Sequence, residues 1–388
     1  MTTAAVGTGV ELETITKLDD FTPLASEWDA LVRASPRPSP FLLHAWLEAW
    51  WRHFGGDGSE LLVLVARRDR RLVAALPLLV RSRLGLRAAR FLGGRQSALA
   101  DLLLAPGEGP SLGRRLATRM ATEADFVDLY GLPTQSRIGE ALGPSLQLIE
   151  RVEAPVLELT PSWEAVYREK TNSKKRNLHG RRRRQLAEQG RLEVVVAREL
   201  DDLRLALEDA FRLHLLRWEG RPDGSGFATP TGQRFHREVL EALADLDVAR
   251  IVLLRLDGRA IAFHYYLAFE GSMYVHRLAF DPAFGRFSPG LVNTLDTLEA
   301  AAAEGLTRVE FLGGAERYKI ELADRMEPLC HGLGLAANSR ARAAVAARLA
   351  VIRLRLRLKQ SPALQRFYLD GASPIRRLAS RSRDALRP

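Results

Sequence analysis

Cysteine is nearly absent from this chain. Cys330 stands alone among 388 residues, which excludes an internal disulfide and any multi-cysteine zinc site. Long hydrophobic runs are missing too. The longest uncharged apolar stretch lies near Leu72 to Val80, far short of the ~20 residues that a membrane-spanning helix needs. Met1 to Glu13 has neither a basic start nor an apolar core, so no secretory signal is expected and the expected location is cytoplasmic. Hydrophobic residues make up 46% and charged residues 27%, a balance that excludes a disordered or fibrous chain. The length suits two domains, three at most.

Acidic residues are scarce only at one end. From Arg340 to Pro388 there are thirteen basic side chains and two acidic ones. The first 339 residues carry 44 basic and 45 acidic side chains, so the overall charge of +10 belongs to the end of the chain. A basic tail of this kind fits an anionic polymer or a membrane surface. Within it, Val351 to Lys359 alternates apolar and basic residues, which favours a strand, whereas the Ala-rich run before it favours a helix. A helix packed on the body is expected there, with its arginines scattered too widely for a good membrane face. The charge segregation implies a tail dispensable for catalysis.

The periodicity divides the rest near residue 160. Residues 1–160 read as strands and helices in mixed order, with an apolar hairpin over Leu61 to Val80 and a single strand expected over Leu146 to Leu159. Residues 161–335 open with a basic helical segment, Trp163 to Arg191. A β-meander follows, with turns at Asp257-Gly258 and Glu270-Gly271. Then come a helix over Gly290 to Gly305 and a buried-looking strand over Arg308 to Leu312. Residues 336–388 form the basic tail. The two halves show similar segments in similar order. Leu64 to Ala74 resembles Val252 to Ala262, and Val127-Asp128-Leu129-Tyr130-Gly131 resembles Val309-Glu310-Phe311-Leu312-Gly313. Either a domain has been duplicated or apolar hairpins look alike by chance.

The most chemically suggestive stretch runs from Tyr274 to Val292. It reads as strand, polar turn and helix start, with Ser288 as N-cap and Pro289 at the first helical position. Free N–H groups of Gly290, Leu291 and Val292 would present the positive helix end to an anion, with the bare Gly290 backbone open to close approach. The alternative is an ordinary capped helix. Glu310, on a buried-looking strand, is a candidate base or else the buried partner of a cation. His264 and His276 sit on adjacent strands as candidate bases facing a cleft, or as hydrogen-bonded sheet residues. Cys330 beside His331 lacks a visible orienting group for a nucleophile. Lys170, Lys174, Lys175, Arg176 and Arg181 to Arg184 cover all sides of one helix, so some of them meet anions.

In this order the meander, turn, helix and strand resemble the acyl-CoA-binding core of the GNAT acyltransferases. Leu256 to Ala262, Ser288-Pro289-Gly290 and Glu310 to Gly314 with Tyr318-Lys319 resemble, more closely, the BioF2-like domain of cellulose-biosynthesis-type acetyltransferases. The tandem arrangement is similar to the FemABX peptidyltransferases. The resemblance implies an α+β fold of two tandem GNAT-like domains, with mixed sheets flanked by helices and a degenerate first domain. It implies an acetyl-CoA or acyl-CoA co-substrate, no metal, and a sugar or amino acceptor in surface polysaccharide biosynthesis. Backbone around Leu278 to Phe280 would bind the oxyanion, Glu310 would act as base, Tyr318 would protonate the leaving thiolate, and Lys319 would polarise the acyl carbonyl or bind phosphate. The phosphate loop departs from the family pattern: Gly285 stands at its Arg or Gln and Ser288 at its first Gly, while Arg286 offers a nearby cation. Aminoacyl-tRNA as donor, as in FemABX enzymes, and a non-catalytic polyanion-binding role are the competing readings; RNA is otherwise not an expected partner.

Overall fold

Asp69 and Arg70 adopt left-handed backbone (φ 50° and 65°), and so do Asp257 and Gly258 (φ 49° and 79°). Two-residue hairpins need this conformation to match strand twist. Each turn seeds one of two sheets. In the computed structural model, which describes residues 9–56, 58–218, 226–314 and 316–360, the strands are β1 (Val10–Ile15), β2 (Ser59–Arg68), β3 (Arg71–Arg83), β4 (Leu86–Phe91), β5 (Leu103–Leu104), β6 (Phe126–Pro133), β7 (Leu146–Val152), β8 (Pro155–Glu158), β9 (Leu192–Ala197), β10 (Ala249–Leu256), β11 (Arg259–Phe269), β12 (Ser272–Phe280), β13 (Arg308–Glu310), β14 (Arg325–Met326) and β15 (Leu329–Gly334).

The first sheet runs β1-β2-β3-β4-β6-β15-β7, with β5 pairing β3; the second runs β9-β10-β11-β12-β13-β8-β14. Position by position the two orders have the same polarity. One pair in each is parallel, β4 with β6 and β12 with β13, and the others are antiparallel. A helix precedes the inner parallel strand in both cases, Pro110–Glu123 and Pro289–Ala303. The fold is therefore two tandem GNAT-like units, and the repeated segments in the sequence mark corresponding strands.

Neither unit is built from one stretch of chain. After β7 the backbone crosses to the second sheet as β8. After β14 it crosses back to the first as β15, between β6 and β7. Each unit thus lends the other a strand. The single strand expected over Leu146 to Leu159 is two strands in different sheets, and the division expected at residue 160 falls after β8 has already joined the second sheet. The basic segment Trp163 to Arg191 is two helices, Trp163–Lys170 and Ser173–Ala187, and the Asn172 side chain caps the second by accepting from Lys175 N–H at 2.9 Å.

One apolar core runs through both units. Trp46, fully buried on the helix His44–Phe54, packs edge-on against Phe235 and His276 of the second unit. The end of the described chain is also tied down. Helix Ser339–Gln360 seats Ala341, Val345, Leu349 and Ile352 against the first sheet beside Leu333, and Arg348 reaches buried Asp128 at 2.7 Å. The first part of the tail is a helix packed on the body through Ile352, as expected from the Ala-rich run. Its remainder, 361–388, lies outside the described residues, as do residues 1–8 of the start read for a signal. Among the described residues no helix is long and apolar enough to cross a membrane.

Candidate active site

β12 and β13 pair only between Ser272–Tyr274 and Arg308–Glu310. Beyond Glu310 the chain leaves the sheet through Leu312 (φ 53°) and Gly314 (φ 110°), while β12 runs on to Phe280. A gap therefore opens along β12, and the backbone of Leu278 to Phe280 has a strand partner only on the β11 side. The short helix Arg317–Leu322 follows this departure and packs on β8 and helix Trp163–Lys170.

Three sequence-predicted side chains gather there. Lys319 is buried; its Nζ donates to Gly313 carbonyl at 3.2 Å and pairs with Glu316 at 2.9 Å. His264, paired in register with Leu278, is fully buried, and neither ring nitrogen has a hydrogen-bond partner. Burial, and then the Lys319 charge, lower its pKa to about 3. Tyr318 sets its ring edge-on to Phe311, and burial pushes its phenol well above the usual range. A phenol that stays protonated and an imidazole that stays neutral are thus held beside the buried Lys319 side chain.

The helix start beside the gap differs from expectation. Leu291 and Val292 N–H groups both donate to Ser288 carbonyl, so neither is free for an anion. Ser288 is left-handed (φ 55°) and makes no side-chain cap; its hydroxyl instead accepts from Arg182 of the basic helix. Gly290 serves packing rather than ligand approach, because a Cβ there would lie 2.8 Å from the Phe280 ring. Arg286 is exposed and stacks on Phe287, with its guanidinium carbon 4.5 Å from the ring centroid. The cation that the degenerate loop lacks is supplied from outside it, by Arg182. Next to it lies a narrow crevice of ≈ 40 Å³, lined by Lys170, Lys175, His179, Leu291, Tyr318 and Glu321 among others. Tyr167, not singled out by sequence reasoning, holds its hydroxyl 2.8 Å from His179 Nδ1.

Two candidates lie elsewhere. His276 faces the opposite side of the sheet from His264, against Trp46, Tyr265 and His236, at the junction of the units. A bulge between Tyr265 and Tyr266 accompanies this change of face. Glu310 accepts from Arg37 at 3.0 and 2.9 Å and from Arg308 at 2.9 and 2.7 Å. A carboxylate that accepts from two guanidinium groups matches the ion-pair alternative for Glu310 rather than a free base. Arg37 comes from the first unit, 273 residues away in sequence, and no local pattern announces it. Cys330 is buried in the core with its thiol pKa raised by burial, so it is no nucleophile. Its neighbour His331 donates to Asp128 at 2.6 Å. Among the described residues no cluster of His, Cys, Asp and Glu could hold a metal ion.

This arrangement has relatives. Residues 173–320 match the family model of the acetyltransferase (GNAT) domain. The whole fold is shared more widely. FemX is 11% identical, with 82% of this chain and 96% of that one covered at a TM-score of 0.55. The C-terminal domain assigned to a lysylphosphatidylglycerol synthetase from Agrobacterium fabrum is 14% identical, with 86% and 96% covered at a TM-score of 0.54. L-PGS from Bacillus licheniformis is 11% identical, with 83% and 97% covered at a TM-score of 0.50. At such identities the likeness is one of fold. No curated protein matches the chain in sequence.

Proposed function

We propose that this GNAT-type protein transfers an acyl group from a CoA thioester to an amine or hydroxyl of a sugar or amino acceptor, with surface polysaccharide building blocks as the acceptor class. The observation that carries the reading is the meeting of Lys319, Tyr318 and His264 at the gap along β12, with the Arg182–Ser288 contact at the start of the helix that follows β12. The acceptor's lone pair attacks the thioester carbonyl carbon, and charge develops on its oxygen. Backbone N–H groups of Leu278 to Phe280 and the Lys319 ammonium stabilise that oxygen. As the C–S bond breaks, Tyr318, still protonated at neutral pH, donates its proton to the departing sulfur. The proton released by the acceptor is relayed through neutral, unpartnered His264 to the Tyr318 phenolate, so both side chains return to their starting states. Arg182, Lys175 and Arg286 serve the phosphates of the carrier.

A second reading keeps the chemistry and changes the carrier to aminoacyl-tRNA. Lys174, Arg181 and Arg184 favour it, because they are exposed on the basic helix and pair with no carboxylate among the described residues. The shared fold with FemX points the same way. Thermal shift with acetyl-CoA, longer acyl-CoAs and aminoacyl-tRNA separates the two, since a ligand bound only by the folded state raises its melting temperature. Stabilisation by a CoA thioester, with thiol release on adding an amino sugar, supports the first reading. A response to aminoacyl-tRNA alone replaces it with the second.

A further inference from the structure

Helix Ser339–Gln360 has two apolar faces, and only one is used by the fold. Ala341, Val345, Leu349 and Ile352 are buried against the first sheet. On the outer side, Arg340, Ala344, Ala347, Val351, Leu354 and Leu358 follow one another at steps of four and three residues, which places them along one line of the helix. Its distal part is the exposed triplet Val351 (47%), Leu354 (57%) and Leu358 (45%). At the near end, Arg340 donates to Leu84 carbonyl at 3.1 Å, and Leu84, at the tip of the β3–β4 turn, is the most exposed large apolar residue described, at 84%. Arg355 and Arg357 flank the triplet on either side and pair with no carboxylate among the described residues, while Arg353 contacts Gln147. Arg83 stands exposed next to Leu84. The helix carries seven basic residues and no acidic one.

We propose that this face docks on a bilayer surface rich in anionic phospholipid, with Leu84, Val351, Leu354 and Leu358 entering the headgroup boundary and the flanking arginines meeting lipid phosphates. A line of apolar side chains rimmed by unpaired cations is the chemistry of an interfacial helix. A second copy of the chain is disfavoured as occupant, because two such helices would bring arginine rows together with no acid on either. A soluble polyanion would use the arginines and leave the leucines without a role. The arginines expected to scatter do surround the helix, yet inward packing leaves one coherent apolar line outside.

The full chain is sedimented with phosphatidylcholine vesicles and with phosphatidylcholine–phosphatidylglycerol vesicles at low and high salt. Binding is expected only with phosphatidylglycerol, and the double variant Leu354→Glu/Leu358→Glu should weaken it by about tenfold or more. Both residues are exposed, so circular dichroism should show an unchanged fold, and turnover, read separately, should be unchanged. Arg355→Gln/Arg357→Gln should weaken binding mainly at low salt. Three results would overturn the proposal: no vesicle binding; vesicle binding that survives the double Glu variant but is lost on removing residues 361–388, or is matched by binding to heparin; and a dimer in gel filtration that the double Glu variant dissociates without changing vesicle binding.

Discussion

Asp128 and Glu310 occupy corresponding positions in the two sheets. Each lies on the strand that runs parallel to its neighbour, beside a strand lent by the other unit. Each is almost wholly buried and takes at least one arginine from a distant part of the chain. Asp128 takes Arg90 at 2.9 Å, Arg348 at 2.7 Å and His331 at 2.6 Å. Glu310 takes Arg37 and Arg308, which in turn share Glu327. The paired acid is thus a repeated structural device at the strand exchange.

Glu310→Gln should therefore destabilise the protein while sparing the chemical step. Removing one charge of a buried pair costs about 3–5 kcal/mol. Partial exposure of both arginines and the remaining Glu327 reduce this to roughly 2–3 kcal/mol. Chemical denaturation should show the loss, and kcat of the folded variant should stay within about threefold of the original. A specific hundredfold fall in kcat without loss of stability would restore Glu310 as a base.

Tyr318→Phe and Lys319→Met should do the reverse. Loss of a proton donor or a charge that acts on the transition state lowers kcat by about a hundredfold or more. Donor affinity, measured by calorimetry, should change little. Arg182→Ala should weaken donor binding with kcat nearly preserved at saturation, and that split separates carrier recognition from chemistry.

Acid should unfold the protein sooner than its carboxylates alone require. His264 has a folded pKa of about 3 against about 6.5 when unfolded. His236 and His276 are lowered for the same cause, burial, followed by the Arg277 charge. Between the two values the unfolded chain binds the extra protons, so this stability is complete above about pH 6.5 and falls as pH drops towards the folded values. Melting temperature measured from neutral to acid pH should decline from about pH 6.5, and His264→Leu should flatten part of the decline. A flat profile down to about pH 5 would refute the neutral histidines.

Ending the chain before Ser339 should lower the melting temperature by roughly 10 °C or more, or leave the protein insoluble. Val345, Leu349 and Ile352 would no longer cover Leu333, at about 1.5–3 kcal/mol per side chain. Asp128 would lose Arg348. Soluble protein with unchanged melting would show the helix to be an accessory.

Local signals in the sequence carried much of this fold. The β10–β12 meander was legible because Asp257-Gly258 and Glu270-Gly271 can take positive φ between apolar runs. The repeat was legible because corresponding strands bury similar residues. The exchanged strands were not, since Leu146 to Leu159 reads as one extended run and nothing local says that it changes sheets at residues 153–154. At the site, Tyr318 and Lys319 were found through a motif resemblance, and the cations of the basic helix through their density. The ion pairing of Glu310 was not legible because its partner Arg37 is remote in sequence, and the facing of His276 was not because a bulge turns its side chain to the other face.

The exchange of strands between units also sets an order on synthesis. The first unit's sheet stays open between β6 and β7 until residues 329–334 emerge, after almost the whole second unit has been made. During that interval two strand edges and the apolar face later covered by helix Ser339–Gln360 are unprotected, so the nascent first unit is the stage most exposed to aggregation and chaperone capture. Fragments cut at residue 160 would each lack a strand that only the other can provide.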